Sequence, residues 1–291
     1  MTEHRRVLRW RLQIGKAPRA CGLITKGRQV SVTTSSTVTI GRRQEITVSL
    51  EEALRVTIGF AFGVADLNLD YGRDNPYLYA YRSYDCALRN DAPGLSEADV
   101  FASAGLNSGI DSAVMLRLLA IIDNDPTLPN LATVPEFWLL SPDCLRRDPG
   151  PGCPEHELWE IWRRLTKLEG VAGAVASKVI HHRWDTKFAL FDSRIARIYH
   201  GDESWAEICE DLQHTSEWWE ELERQFDCYR VKHQNGRGVS LRRLRLLDIL
   251  AWAQAARYWE HLLKLGTALL NSTTDPRQRA GSPITGVVAA R

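Results

Sequence analysis

The residues best suited to chemistry lie between Leu168 and Tyr199, in the stretch LEGVAGAVASKVIHHRWDTKFALFDSRIARIY. A helix predicted over about 155–167 ends near Gly170, and a second helix begins at Gly173, so a tight turn joins the two. The first N–H groups of a helix have no partner within that helix, and they bind phosphate oxygens readily. The turn therefore predicts a contact with a phosphate group.

Asp192 is the second chemical feature of this stretch. It follows the apolar run FALF and precedes a predicted helix, where an aspartate commonly caps the helix N-terminus. A carboxylate held at such a position also suits cleavage of an N-glycosidic bond. It stabilises the positive charge that develops on the sugar, and it orients or deprotonates the attacking water. A plain cap and a catalytic carboxylate are both compatible with the residues alone.

The same stretch resembles the helix-hairpin-helix DNA glycosylases of the endonuclease III, oxoguanine and alkyladenine glycosylase superfamily. LEGVA stands where that family has an L-P-G-V-G hairpin, and FDSRI stands where it has a V-D-T-H element. The separation of 22 residues between Gly170 and Asp192 matches the family spacing. The resemblance is strong over about 155–200 and weaker over 49–270, and it indicates an uncharacterised branch without an assigned reaction. It implies that Asp192 is catalytic and that the hairpin binds DNA phosphate through Gly170, Val171, Ala172 and Gly173.

Two residues depart from the family pattern. Ala172 replaces the second hairpin glycine, which would cost about 1 kcal/mol if this position needs a positive φ, unless Gly173 takes over. Ala174 stands where the bifunctional enzymes have their lysine nucleophile, so the resemblance implies a monofunctional enzyme that uses water. Lys178 lies one helical turn further on the same face. It could touch the flipped base, act as a displaced nucleophile, contact phosphate or lie on the surface.

The resemblance also indicates which other residues border the base and the DNA backbone. Tyrosines near a helix start are more often core residues than base contacts, Trp184 could stack or simply pack, and exposed arginines could be solvated. Asp248 is expected to be a buried acid paired with Arg243 or Arg245. The predicted base pocket comprises Lys178, Tyr81, Tyr84, Asp85 and Trp184, and the predicted phosphate contacts beyond the hairpin are Arg183, Arg242 and Arg243.

The overall charge conceals a segregation along the chain. With 37 Lys and Arg against 36 Asp and Glu, the net charge of +1 argues at first against a nucleic-acid partner. Three blocks are nevertheless basic: residues 1–43 carry +9, 163–199 carry +5 and 229–246 carry +6, which leaves −19 for the rest. A local basic face can bind DNA on a neutral protein, although such blocks could also be solvated surfaces. The DNA interpretation predicts that they converge around one cleft.

The elements around this stretch predict a mainly α fold with a small N-terminal β-region, and the resemblance implies that the helices form a two-lobed helix-hairpin-helix glycosylase-like domain. Residues 1–48 form a basic β-rich region, 49–270 the helical domain and 271–291 a disordered tail. Ser49 and Glu52 match a capping box, and Ser96 is a second helix cap. The predicted strands are Val7–Ile14, Val30–Ile40 and Ile46–Leu50. The helix at Ser112–Ile122 is expected to be buried, and Ser240 is expected to begin one long amphipathic helix.

Several classes of protein are disfavoured by the composition. The six cysteines are scattered without CxxC spacing, and His181 and His182 have no carboxylate or cysteine at metal spacing, so no metal is expected. No apolar stretch approaches about 18 residues and no signal peptide is recognisable, which predicts a cytoplasmic protein without a membrane partner. We expect a monomer without a cofactor, apart from a monovalent cation that could bind at the hairpin.

The sequence thus predicts a monofunctional DNA glycosylase that flips a base out of double-stranded DNA and hydrolyses its glycosidic bond. The base could be damaged, which would make the protein a repair enzyme. It could instead be a bulky modified base of the phage type, which would make it an antiviral defence factor. The alternative is a non-catalytic helix-hairpin-helix DNA-binding module.

Overall fold

The computed structural model describes residues 37–63, 84–87, 94–106, 110–233 and 240–272. These residues are mainly helical and include a small sheet near the N-terminal end. The strand predicted over Val7–Ile14 and the first part of Val30–Ile40 lie outside them. So does the predicted tail from residue 273 onward, whereas its first two residues, Asn271 and Ser272, end the last helix.

The helices follow one another closely along the chain. In the described residues, the connections between them contain three short 3₁₀ helices, at Leu131–Thr133, Phe137–Leu139 and Gly201–Glu203. The α-helices are α1 Leu50–Phe62, α2 Glu97–Ala104, α3 Ser112–Asn124, α4 Pro142–Arg146, α5 Pro154–Thr166, α6 Gly173–Arg183, α7 Ile195–Ile198, α8 Ser204–His214, α9 Ser216–His233, α10 Arg243–Ala255 and α11 Trp259–Ser272.

The sheet is an antiparallel hairpin of β1 (Thr37–Ile40) and β2 (Ile46–Ser49). Alternate residues are buried, as the period of two in the sequence predicts. Ser49 then begins α1 with the predicted capping box, because its hydroxyl accepts the Glu52 N–H at 3.2 Å while the Glu52 carboxylate accepts the Ser49 N–H at 3.2 Å.

Helices α1 and α11 cross at very close range. A Cβ on Gly59 would lie 2.1 Å from the Leu262 carbonyl oxygen, and a Cβ on Gly266 would lie 1.8 Å from that of Arg55. Glycine is therefore required at both positions, since any side chain would push the two backbones apart.

The long helix predicted from Ser240 is wrong. The chain forms two helices, α10 and α11, separated at Arg257, which has a φ of 63°. The break is a Schellman motif, in which the Tyr258 N–H binds the Ala253 carbonyl at 2.8 Å and the Arg257 N–H binds the Gln254 carbonyl at 3.1 Å. This ending escaped prediction because an arginine occupies the position where glycine is usual. Helix α10 is also buried on nearly all sides rather than amphipathic.

The expectation that the Ser112–Ile122 helix is buried is wrong as well. In α3 only Val114 and Leu118 are buried, and Leu116 is 66 % exposed. The apolar residues of α3 occupy more of the helix circumference than its neighbours cover.

A buried hydrogen bond between a carboxylate and an imidazole connects α2 with α6. The Asp99 carboxylate accepts hydrogen bonds from the N–H and hydroxyl of Ser96 through one oxygen, at 2.9 and 2.7 Å. Its other oxygen lies 2.6 Å from Nδ1 of His182, and both side chains are fully buried. Asp99 thus caps its own helix and fixes α6, the helix that carries Lys178.

Candidate active site

The predicted turn between α5 and α6 is present. The Val171 N–H binds the Leu168 carbonyl at 3.0 Å, and Gly170 adopts a φ of 81°. Ala172 is the N-cap of α6 with a φ of −74°, so it does not need the left-handed conformation. The cost anticipated for alanine at this position does not arise, because Gly170 makes the turn.

Gly170 gives a testable constraint on this turn. Alanine there would adopt an unfavourable φ, and its Cβ would lie 2.8 Å from Cγ2 of Val114, so we expect Gly170→Ala to destabilise the protein by about 2 kcal/mol or more. Gly150→Ala is the matched control, because Gly150 has a φ of 84° with no atom near its Cβ position. Urea unfolding of both variants measures the difference, and equal losses would contradict a role for the Val114 contact.

Ser177 joins α6 to the segment that carries Asp192. Its buried hydroxyl donates to the Phe191 carbonyl at 2.9 Å and accepts the Phe191 N–H at 3.1 Å. Both main-chain groups of the residue before Asp192 are therefore held by one side chain. Phe191 is 14 residues further along the chain than Ser177, so no local pattern in the sequence indicates this contact.

Removal of this hydroxyl should loosen Asp192. Ser177→Ala leaves the part-buried N–H and carbonyl of Phe191 without this partner, so we expect a loss of about 1–3 kcal/mol in unfolding free energy. Ser177→Thr retains the hydroxyl and is the control for its hydrogen bonds. If Ser177→Ala melts at the wild-type temperature, the hydroxyl does not hold this segment.

The Asp192 side chain caps the turn that leads into α7, a capping role that the sequence predicts, although the N-cap residue of the helix itself is Arg194. Its side-chain Oδ1 accepts hydrogen bonds from the N–H groups of Arg194 and Ile195 at 2.8 and 3.0 Å. Its main-chain carbonyl accepts the N–H of Ala196 at 3.0 Å. Within the described residues, no donor binds the other carboxylate oxygen, Oδ2. One oxygen thus orients the carboxylate while the second is left for another ligand.

The opposite end of α7 is fixed by the β1–β2 turn. The Ile198 carbonyl accepts the N–H groups of Arg42, Arg43 and Gln44 at 3.0, 2.9 and 3.3 Å. The turn itself is anchored by the buried Asp211, which accepts the Gly41 N–H at 2.8 Å and pairs with Arg42 at 2.6 Å. The N-terminal sheet therefore helps to position the short helix that Asp192 begins.

Lys178 lies inside the protein near Asp192. It is 7 % exposed, and burial lowers the pKa of its ammonium, an effect that the charges of Asp192 and Asp248 partly offset. Its ammonium forms no hydrogen bond or ion pair with a described residue. This burial excludes the surface-lysine alternative, and the Lys178 ammonium lies within electrostatic range of the Asp192 carboxylate.

A buried charge cluster borders Lys178. Arg245 binds both oxygens of Asp85, each at 2.9 Å, and also binds Asp248 one turn along α10. Burial raises the pKa of Asp248 to about 7, although Arg245 opposes the shift. The prediction that Asp248 is a buried acid paired with arginine is confirmed. Asp85, predicted to contact the base, already has both oxygens engaged.

Other predicted contacts lie in the interior. Tyr84 is 2 % exposed and donates its hydroxyl to the Lys178 carbonyl at 2.7 Å, and Trp184 is 6 % exposed. Both are packed residues, so a base would meet neither ring unless its neighbours moved. Tyr81 lies outside the described residues.

The two arginines at the start of α10 differ from each other. Arg243 is buried, pairs with Glu220 and Glu223, and lies 4.5 Å from the Trp138 ring centroid. It is not presented to a phosphate, which corrects its assignment as a DNA contact. Arg242 is exposed but lies 3.5 Å from Glu223, and Arg183 is half-buried at the end of α6.

The basic blocks are partly neutralised by acids. Because paired arginines contribute less positive potential, these blocks attract phosphate less strongly than their sequence charge indicates. Their convergence on one face stays a prediction. Arg43 is a better candidate phosphate contact, since it is exposed and donates to the Ala196 carbonyl at 3.1 Å, beside Asp192. The block residues with acidic partners are Arg42, Arg163, Arg164, Arg230, Arg242, Arg243 and Arg245.

The described residues contain no group of three His, Cys, Asp or Glu side chains that could hold a metal ion. None of their helices has both the length and the apolar character needed to cross a membrane. Among known proteins, the profile of the Family of unknown function (DUF6308) matches residues 64–255, which is more than half of the chain. No curated protein and no solved structure matches.

Proposed function

Because the chain belongs to the family of unknown function DUF6308, its activity has to be argued from its site, and we propose that it is a monofunctional DNA glycosylase. The observation that carries the proposal is the Asp192 carboxylate. One oxygen is fixed by two backbone N–H groups, and the other makes no hydrogen bond within the described part of the chain. A carboxylate fixed in this way can stabilise charge without reorganising during the reaction.

In the proposed reaction, the bond between C1′ of deoxyribose and the base nitrogen breaks, and the base leaves with the bonding electrons. Asp192 stabilises the resulting oxocarbenium-like sugar and takes a proton from the water that adds to C1′. The departing base gains a proton, and the DNA retains an abasic site. Ala174 has no nucleophile, which favours water as the attacking group.

The start of α6 is proposed to hold the DNA strand. Its first N–H groups follow the turn at Gly170, a suitable place for a phosphate oxygen. Exposed Arg43, which donates to the Ala196 carbonyl in the helix that follows Asp192, would add a charged contact. The flipped base would then be placed near Lys178, whose buried ammonium is available to a carbonyl oxygen or ring nitrogen of the base.

The test is an assay for abasic sites. Purified protein is incubated with single- and double-stranded oligonucleotides that carry deaminated, alkylated, oxidised or glucosylated bases, and the products are cleaved with hot alkali. Strand scission at one class of base supports the glycosylase, and the class separates repair from phage defence. Tight duplex binding without release of any base would favour the non-catalytic binding module instead.

A further inference from the structure

A cavity of about 360 Å³ lies between α5, α8 and the segment that precedes Asp192. This volume is within the range of small-molecule sites, about 300–1,000 Å³. Its wall is largely aromatic: Trp159 and Trp162 come from α5, Trp205 from α8 and Phe191 from the loop. Arg146 and Ser204 contribute polar groups to the lining. The proposed glycosylase does not use this cavity.

The three indoles that line the cavity are oriented differently from one another. The ring centroids of Trp159 and Trp205 are 4.8 Å apart with an interplanar angle of 55°, and those of Trp162 and Trp205 are 5.7 Å apart at 79°. Trp159 and Trp162 are nearly perpendicular, at 87°. A flat ring is held best between two parallel walls, and no pair here is parallel. Non-parallel walls suit a compact, rounded group.

The charges next to the cavity favour a cation. Arg146 lines the cavity, but its guanidinium is shared among Asp143 at 3.1 Å, Glu203 at 3.2 Å and Glu210. Arg42 lies 3.7 Å from Glu210 and also pairs with Asp211. This network therefore contains two arginines and four carboxylates, an excess of two negative charges.

The chain around Trp205 is itself acidic. Residues 202–227 contain ten Asp and Glu and a single basic residue, Arg224, which gives −9. Such a region repels phosphate and attracts cations. Indole faces attract cations as well, and cages of aromatic rings bind quaternary ammonium groups in many proteins. From this stretch, Glu203, Glu210 and Asp211 belong to the ion-pair network of Arg146 and Arg42 next to the cavity.

We propose that the cavity bounded by Trp159, Trp162, Trp205 and Phe191 binds a trimethylammonium group. The indoles supply cation–π attraction, and the carboxylates around Arg146 supply long-range attraction. The proposal is independent of base excision, so either one can fail without the other.

The probe is choline, compared with 3,3-dimethylbutan-1-ol, which has the same shape without the charge. In calorimetric titrations of the full chain, we expect choline to bind about tenfold more tightly than the neutral isostere. Trp162→Leu should abolish choline binding. Glu210→Gln should weaken it about threefold and leave binding of the isostere unchanged. Glu217→Gln is the control, because it removes the same charge from an exposed residue outside the ion-pair network.

Three results would overturn the proposal. The first is equal affinity for choline and its neutral isostere, which would indicate an apolar cavity without cation recognition. The second is tighter binding of adenosine than of choline, which would indicate a site for a planar ring. The third is equal weakening by Glu210→Gln and Glu217→Gln. Glycerophosphocholine and Nε-trimethyllysine, titrated in parallel, distinguish the two sources of the group, and thermal melts establish that each variant is folded.

Discussion

Replacement of Asp192 by asparagine is expected to abolish base release and to leave the fold intact. Asparagine is as good an N-cap as aspartate, so its side-chain oxygen can still accept the N–H groups of Arg194 and Ile195. It has no charge to stabilise an oxocarbenium-like sugar and cannot take a proton from water. We expect single-turnover base release to fall by about 10²–10⁴-fold, the usual contribution of a general base.

Asp192→Ala separates the capping role from the chemical role. Alanine cannot accept either N–H, so this variant should lose about 1 kcal/mol of stability in addition to activity. Asp192→Asn should melt close to the wild-type temperature and bind duplex DNA at least as tightly, because a negative charge near the phosphates is gone. If Asp192→Asn releases base at the wild-type rate, Asp192 is a structural cap only.

Replacement of Arg245 by methionine is expected to give the largest loss of stability. Arg245 is the shared partner of Asp85 and Asp248, and its side chain is 3 % exposed. Its removal leaves two buried carboxylates without that cation, and breaking a buried pair in this way typically costs about 3–5 kcal/mol. Arg224→Met is the control, because Arg224 is 47 % exposed and its pair with Glu221 is worth about 1 kcal/mol or less.

The unfolding free energy that Arg245→Met loses should depend on pH. The pKa of Asp248 is raised to about 7 in the folded protein, above its value of about 4 in an unfolded chain. The folded state therefore holds this proton more tightly, and the contribution of Asp248 to stability declines as pH rises from about 4 to about 7. Without Arg245, which opposes the shift, the pKa should rise further. The deficit of Arg245→Met should be greater at pH 7 than at pH 4.

Denaturant unfolding at both pH values measures this difference. Arg245→Met combined with Asp248→Asn should recover part of the stability at pH 7, because one of the two unpaired carboxylates is removed. A loss for Arg245→Met no greater than that for Arg224→Met would show that the cluster contributes little. A deficit that grows as pH falls would contradict the assigned direction of the Asp248 pKa.

Local features of the candidate site were predictable because they depend on neighbours in the chain. The Ser49–Glu52 capping box, the turn at Gly170 and the cap at Asp192 each involve residues no more than four positions apart. Side-chain oxygens and glycine encode such contacts directly. The break at Arg257 was not predicted because the local sequence Ala-Ala-Arg-Tyr contains no glycine, the residue that usually indicates a left-handed conformation.

Contacts between residues far apart in the sequence were harder to predict from the sequence. The sequence suggested that Asp248 pairs with Arg243 or Arg245, and both arginines precede it on the same helix. Only the packing of the helices shows that Arg245 also binds Asp85, 160 residues away. The same packing places Arg243 in ion pairs with Glu220 and Glu223. No periodicity in the sequence distinguishes these two arginines, because α10 is buried on nearly all of its faces.

By itself, the sequence determined the mainly helical fold, the hairpin between α5 and α6 and the place of Asp192 at the start of a helix. These follow from hydrogen bonds and side-chain patterns within a few residues. Tertiary structure alone decided that Lys178 is buried, that Ser177 holds the backbone at Phe191 and that three tryptophans line one cavity. Burial and pairing depend on which helices meet, and that is set by the packing of the whole domain rather than by any single segment.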